Sequence, residues 1–245
     1  MVLASTPPAD TPVPASVRAL AGGRATRMLW RNELGGLTIA IDGDDPLVAK
    51  WSPPGGPRLA AEAQRLRWLV ARHPAPLVRH HGIVDDGELL VTEALPGDGA
   101  ASARWLREPE TAVRAIAEGL RRLHALPPED CPWRWLPADR IRSARAASGT
   151  VPASLEDAPS IDRLVVGHGD ACAPNTLLDA HGAFLATVDV GRLGLADRWS
   201  DLAVASMSLE WNYGAGLEPL FWRSYGVEPD ATRVAYYRAL WDVAD

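Results

Sequence analysis

The chain has 245 residues, an apolar fraction of 47% and a formal net charge of −6, enough length for one two-lobed domain with a substantial core. No apolar run approaches bilayer-spanning length, so the chain reads as soluble and globular, and the acidic balance argues against general nucleic-acid binding while suiting a cationic partner. Two cysteines, Cys131 and Cys172, are too few for a disulfide framework and point to a reduced cytoplasm.

Residues 1–15 lack the early positive charge of a signal peptide and are broken by prolines, so they read as a flexible tail. A β-rich N-lobe is expected over residues 16–95. Within it, residues 27–30, 37–41 and 47–51 read as strands separated by turns at 32–36 and 42–46. Residues 59–72 read as a helix, with Leu59, Ala63, Leu66 and Leu69 on one face. Residues 77–81 and 88–92 give two further strands, and the break at residues 95–99 marks the lobe boundary. The C-lobe, residues 96–245, is expected to be mainly helical. A buried helix is predicted over 110–126, a turn-rich stretch over 127–159, and short strands at 163–166, 176–178 and 184–188. Helices at 197–211, 217–225 and 230–243 complete an α+β, bilobal fold.

The chemistry concentrates in Val165-Val166-Gly167-His168-Gly169-Asp170-Ala171-Cys172-Ala173-Pro174-Asn175, followed by Val188-Asp189-Val190-Gly191. An apolar run delivers Asp170, a short loop brings the Asn175 amide oxygen, and a second apolar run ends in Asp189. Far upstream Lys50, the only lysine in the chain, closes the run 46–49. Phosphoryl transfer needs a cation on the nucleotide phosphates, hard oxygen ligands for Mg²⁺, and a carboxylate to orient the acceptor hydroxyl and take its proton. Lys50, Asn175 with Asp189, and Asp170 fit those parts in that order. His168 reads as a buried, orienting imidazole, and Cys172 as a packed side chain rather than a nucleophile.

His168-Gly169-Asp170-x₄-Asn175, then Asp189-x-Gly191-Arg192-Leu193-Gly194-x-Ala196-Asp197-x₃-Asp201-Leu202-Ala203, with Leu123-His124-x₇-Cys131-Pro132 upstream, resembles the aminoglycoside phosphotransferases, above all their 3′-phosphotransferase branch. The resemblance implies a protein-kinase-like bilobal fold and a cytoplasmic, monomeric enzyme that moves the γ-phosphoryl group of ATP, with GTP left open, to a hydroxyl of a small molecule. It makes Asp170 catalytic, Asn175 and Asp189 the Mg²⁺ ligands, and Glu62 the partner that aims Lys50 at the phosphates. It places the Thr92 carbonyl and Ala94 amide against adenine at the hinge. Residues 32–36 would cover the phosphates, although a two-glycine hairpin turn is an equal reading. Asp197 and Asp201 would bond loop and helix backbone. Val190 stands where protein kinases carry phenylalanine, which argues against a protein substrate.

The acceptor side departs from the family. Relatives place basic and paired acidic residues in the helix after Asp201, where this chain reads Met207-Ser208-Leu209-Glu210-Trp211-Asn212. Glu156, Asp157, Glu210 and Asp242 are the carboxylates available to a cationic acceptor. An aminoglycoside is therefore one expected substrate. A non-antibiotic sugar, amino sugar or other metabolite is a second, and a catalytically silent nucleotide-binding module is a third reading.

Overall fold

The computed structural model describes residues 7–8, 10–148 and 150–244. Residues 1–6 and 9 of the expected tail lie outside them. The chain divides into two compact units, one formed by the residues up to Ala71 with Ala75–Leu95, the other by Arg72–Pro74 and everything from Pro96 onward.

The first unit is a five-stranded antiparallel sheet built from β1 (Thr26–Arg31), β2 (Leu37–Ile41), β3 (Leu47–Ser52), β4 (Val78–Val84) and β5 (Gly87–Glu93), in the order β1-β2-β3-β5-β4. Two helices accompany it, α1 (Ala15–Ala21) and α2 (Ala60–Leu69). Alternation along the strands puts Ile39, Ile41, Leu47, Ala49, Leu89 and Val91 into one core with Val17 and Ala21 of α1. Val13, within the expected tail, packs against the same cluster. The period of two then turns Val48 and Lys50 to the other face of β3.

The second unit is built on α3 (Pro109–Leu123) and α5 (Arg198–Tyr213), joined in one core by α6 (Glu218–Tyr225) and α7 (Ala231–Ala244). Short strands carry the motif region. After β6 (Asp98–Gly99) come β7 (Leu164–Gly167), β8 (Thr176–Leu178), β9 (Phe184–Thr187) and β10 (Gly194–Asp197). β7 pairs with β10, and β8 lies between β6 and β9.

Three elements escape the periodicity reading. Residues 127–159 are not only turns: α4 (Pro137–Ser148) occupies twelve of them. Its buried face is Arg140, Ile141 and Ala144, and a fully buried arginine in the stripe hides the helical period. The helix α1 is only seven residues long, and β10 is four residues contiguous with α5.

Candidate active site

Gly169 and Asp170 leave β7 in a turn that only glycine tolerates. Gly169 has φ +85°, and a Cβ there would lie 2.5 Å from the Arg192 carbonyl oxygen. The turn is held from behind by α5. Asp201, 1% exposed, accepts the backbone N–H of His168 at 2.5 Å and of Gly169 at 3.0 Å, and receives His124 Nε2 at 3.0 Å. Burial pushes its carboxyl up. The hydrogen bond and charge of His124, with the charge and amide of His168, outweigh that and hold it below the ordinary carboxylate value. Two turns later on the same helical face, Ser208 Oγ accepts the Ala173 amide at 2.9 Å. Sequence reading passed over Ser208, although its i, i+7 spacing from Asp201 was the available signal.

His168 is 2% exposed. Its Nε2–H donates to the Val188 carbonyl at 3.0 Å, and its Nδ1 accepts the Asp170 amide at 3.2 Å. Both ring nitrogens are thereby engaged by backbone groups, so the imidazole orients the loop.

The three motif residues are linked through short bonds. A single 3₁₀ turn, Ala173–Asn175, returns the chain toward Asp170. There the Asn175 amide nitrogen donates to the Asp170 carbonyl at 2.9 Å and to its Oδ2 at 3.3 Å. That commits the nitrogen side of the planar amide and leaves its oxygen on the opposite branch. The Asn175 carbonyl accepts the Val188 amide at 3.0 Å, tying the loop to the residue before Asp189. Asp189 has φ 60°, the one left-handed non-glycine among the described residues, a backbone state that costs about 1–2 kcal/mol. Asp170 Oδ1 is buried and, among the described residues, has no hydrogen-bond partner.

His73 also supports this segment and was not anticipated. It lies in the short Arg72–Pro74 stretch and is 4% exposed. Its Nε2 meets Thr187 Oγ1 at 2.9 Å, while the Pro74 carbonyl accepts the Thr187 amide at 3.0 Å. Burial first, then the charges of His168, Arg122 and His124, push its pKa down to about 4.

In the first unit Lys50 Nζ lies 2.7 Å from Glu62 Oε1, with side chains only 20% and 8% exposed. Glu62 sits in the first turn of α2, where a carboxylate is favoured by the helix dipole. Of the two readings of residues 32–36, the hairpin turn is the one the hydrogen bonds support, and the Ala94 amide has a partner within this unit. The amides of Leu34, Gly35 and Gly36 are all taken by Asn32, through its Oδ1 (3.0 and 2.7 Å) and its carbonyl (3.1 Å). Residues 32–36 are therefore a closed hairpin turn that offers none of those three donors to a phosphate. The Ala94 amide, expected against adenine, donates to the Pro46 carbonyl at 2.9 Å because the β3–β5 pairing runs one residue past the strand ends. Thr92 is buried in β5 between Val48 and Val78.

The acceptor carboxylates separate into two groups. Glu156 is half exposed and spent in a surface ion pair with Arg145 of α4, and Asp157 beside it is exposed. Glu210 and Asp242 are also exposed, but the packing of Trp211 on Trp241 brings their helix ends to one corner. Among the described residues no three His, Cys, Asp or Glu side chains form a metal-holding group, and no helix is long and apolar enough to cross a membrane.

Residues 16–237 match the family described as "Phosphotransferase enzyme family". An aminoglycoside 3'-phosphotransferase of Streptomyces fradiae is 39% identical over 214 residues, covering 74% of this chain and 78% of that protein. The crystal structure of an aminoglycoside-3'-phosphotransferase of type VIII has a TM-score of 0.76 at 31% identity, covering 93% of this chain and 97% of that one. The aminoglycoside phosphotransferase APH(3'')-Id of Streptomyces rimosus, solved with ADP and streptomycin, has a TM-score of 0.70 at 27% identity, covering 94% and 96%. With the motif residues linked as described, the chain belongs to the aminoglycoside phosphotransferase family and has its protein-kinase-like fold.

Proposed function

We propose that this chain, as a cytoplasmic monomer, transfers the γ-phosphoryl group of ATP to a hydroxyl of an aminoglycoside-like small molecule. The observation that carries the reading is Asp170 Oδ1, a buried carboxylate oxygen without a donor among the described residues. Such an acceptor is costly to bury unsatisfied, and an acceptor hydroxyl supplies the missing donor. Asp170 thus orients the hydroxyl and takes its proton as the oxygen attacks the γ-phosphorus. The bond from that phosphorus to the bridging oxygen breaks and ADP leaves. Direct transfer needs only Asp170 as the base, and the Cys172 thiol of the same loop is given no step.

The remaining assignments rest on the donor types and their support. The Asn175 amide oxygen and the Asp189 carboxylate would hold Mg²⁺. These are hard oxygens, and two protein ligands suit an ion that shares its shell with phosphate and water. When bound, Mg²⁺ neutralises charge on the phosphate oxygens. Lys50, aimed by Glu62, would meet the nucleotide phosphates. With residues 32–36 closed on Asn32, Lys50 and the metal ligands carry more of that task than a loop of amides does. Adenine recognition by the Thr92 carbonyl and Ala94 amide requires the Ala94–Pro46 bond to be exchanged for the base.

A coupled ADP-release assay with ATP or GTP, run against aminoglycosides, amino sugars and neutral sugars with mass detection of the product, tests the reading. Acceptor-dependent ADP release with a phosphorylated product is expected. A protein that binds nucleotide but phosphorylates no member of the panel would overturn it and leave the silent-module reading.

A further inference from the structure

Three residues between α2 and β4, Arg72–Pro74, belong to the second unit, where they meet the outer edge of β9. β9 ends its sheet and pairs with β8 on one side alone. Thr187, 5% exposed, turns its amide to the other edge, where a buried donor needs an acceptor. The Pro74 carbonyl accepts it at 3.0 Å. His73 adds two side-chain contacts to the same strand. Its Nε2 meets Thr187 Oγ1 at 2.9 Å, and its ring lies against Phe184, with centroids 5.4 Å apart. Phe184 is backed in turn by Gly119 of α3, where a Cβ would come within 2.6 Å of the phenyl ring. One buried imidazole thus grips both ends of β9.

That grip lies close in the chain to the two proposed metal ligands. Thr187 pairs with Thr176 across β8 and β9. Asn175 immediately precedes Thr176, and Asp189 follows Thr187 by two residues. The antiparallel pairing therefore delivers both ligands from the same end of the hairpin. Between Thr187 and Asp189, Val188 is fixed through its backbone. Its amide donates to the Asn175 carbonyl and its carbonyl accepts His168 Nε2–H, each at 3.0 Å. Asp189 then turns to φ 60°, a conformation that persists only while its surroundings over-determine it. Val188 is secured from the catalytic loop, whereas Thr187 is secured from outside it, by His73 and Pro74.

Resting on the phosphotransferase reading, we propose that His73 is a positioning residue for the metal site. Through the Thr187 hydroxyl and the Phe184 ring it holds β9 in place, and so sets where the Asp189 carboxylate stands relative to Asn175. It acts as groups behind metal ligands do, by orienting a ligand it does not replace.

Mn²⁺ titrations followed by electron paramagnetic resonance, on the whole chain with a non-hydrolysable ATP analogue, read the site without turnover. His73→Leu and Thr187→Val should each weaken Mn²⁺ binding about tenfold. The double variant should lose no more than His73→Leu alone, because both changes break one contact. His73→Gln, whose side-chain amide replaces Nε2 in the bond to Thr187, should stay within about threefold of the parent. Affinity for the analogue in EDTA should not change. Variants that melt at a lower temperature yet bind Mn²⁺ as the parent does would overturn the proposal, as would additive losses or a parent that takes up no Mn²⁺. Should His73→Leu fail to fold, Thr187→Val decides the matter, since it keeps the shape and removes only the hydroxyl. ADP release measured in parallel separates this proposal from the reaction. Turnover with His73-independent Mn²⁺ binding sinks only the positioning role. His73-dependent Mn²⁺ binding with no acceptor phosphorylated sinks only the transfer reaction.

Discussion

At its N-terminal end α5 carries Asp201, buried and saturated by His124 and the amides of His168 and Gly169. At its C-terminal end the same helix carries Glu210 and Trp211, both exposed. The first end holds the loop that carries Asp170, and the Asp201 carboxylate is spent inside the protein to do so. The second end leaves Glu210 and Trp211 to solvent. One end of the helix is thus a buried anchor and the other an exposed surface, and the two can be broken separately.

The largest effect is expected at the buried end. Asp201→Ala strands an imidazole and two buried amides, which should cost about 3–5 kcal/mol in chemical denaturation and remove activity. Asp201→Asn, which keeps shape and an acceptor, should lose less. A loss below 1 kcal/mol for the alanine would show that the loop does not depend on α5.

The next effect is a pH dependence. His73 has its pKa pushed from 6.5 to about 4, so between those values the unfolded chain binds the extra proton and the folded one does not. Stability from this group is therefore full above pH 6.5 and falls as the pH drops toward 4, by about 3 kcal/mol in all. His73→Gln should flatten that part of the stability–pH curve, and an unchanged curve would remove His73 as its cause. Asp201 adds a separate acid limb: its depressed carboxyl contributes stability that is lost only below the ordinary value of 3.8.

A smaller effect tests the strained ligand. Asp189→Gly and Asp189→Ala both delete the carboxylate and should both abolish Mg²⁺-dependent turnover. Glycine adopts φ 60° without the Cβ penalty that alanine carries there, so the glycine variant should be more stable than the alanine variant by about 1 kcal/mol, roughly 2–4 °C in Tm for a chain of this size. Equal melting temperatures would mean that the left-handed backbone is not a source of strain.

The catalytic loop was legible in the sequence because its parts are local. Asp170 and Asn175 bracket one short loop, and Asp189 lies two residues past β9. The Lys50–Glu62 pair was legible because a strand end and the first turn of the following helix are close in the chain. What stayed hidden was decided by tertiary partners. Ser208 and His73 look like an ordinary helix serine and loop histidine until Ala173 and Thr187 are placed against them. The Ala94 amide and the closed turn on Asn32 depend on backbone pairing that no side chain announces, and α4 was masked by the burial of Arg140. The departures at Trp211 and Asn212 were visible, but the packing of Trp211 on Trp241 was not, because the partner comes from another helix.

The most direct measurement is the turnover of Asp170→Ala beside its nucleotide affinity, with acceptor and Mg²⁺ saturating. kcat should fall by roughly 10²–10⁴-fold while the affinity for the ATP analogue stays within a factor of about two. A variant that turns over as fast as the parent would contradict the role given to the unpaired Asp170 oxygen, and with it the account of the reaction.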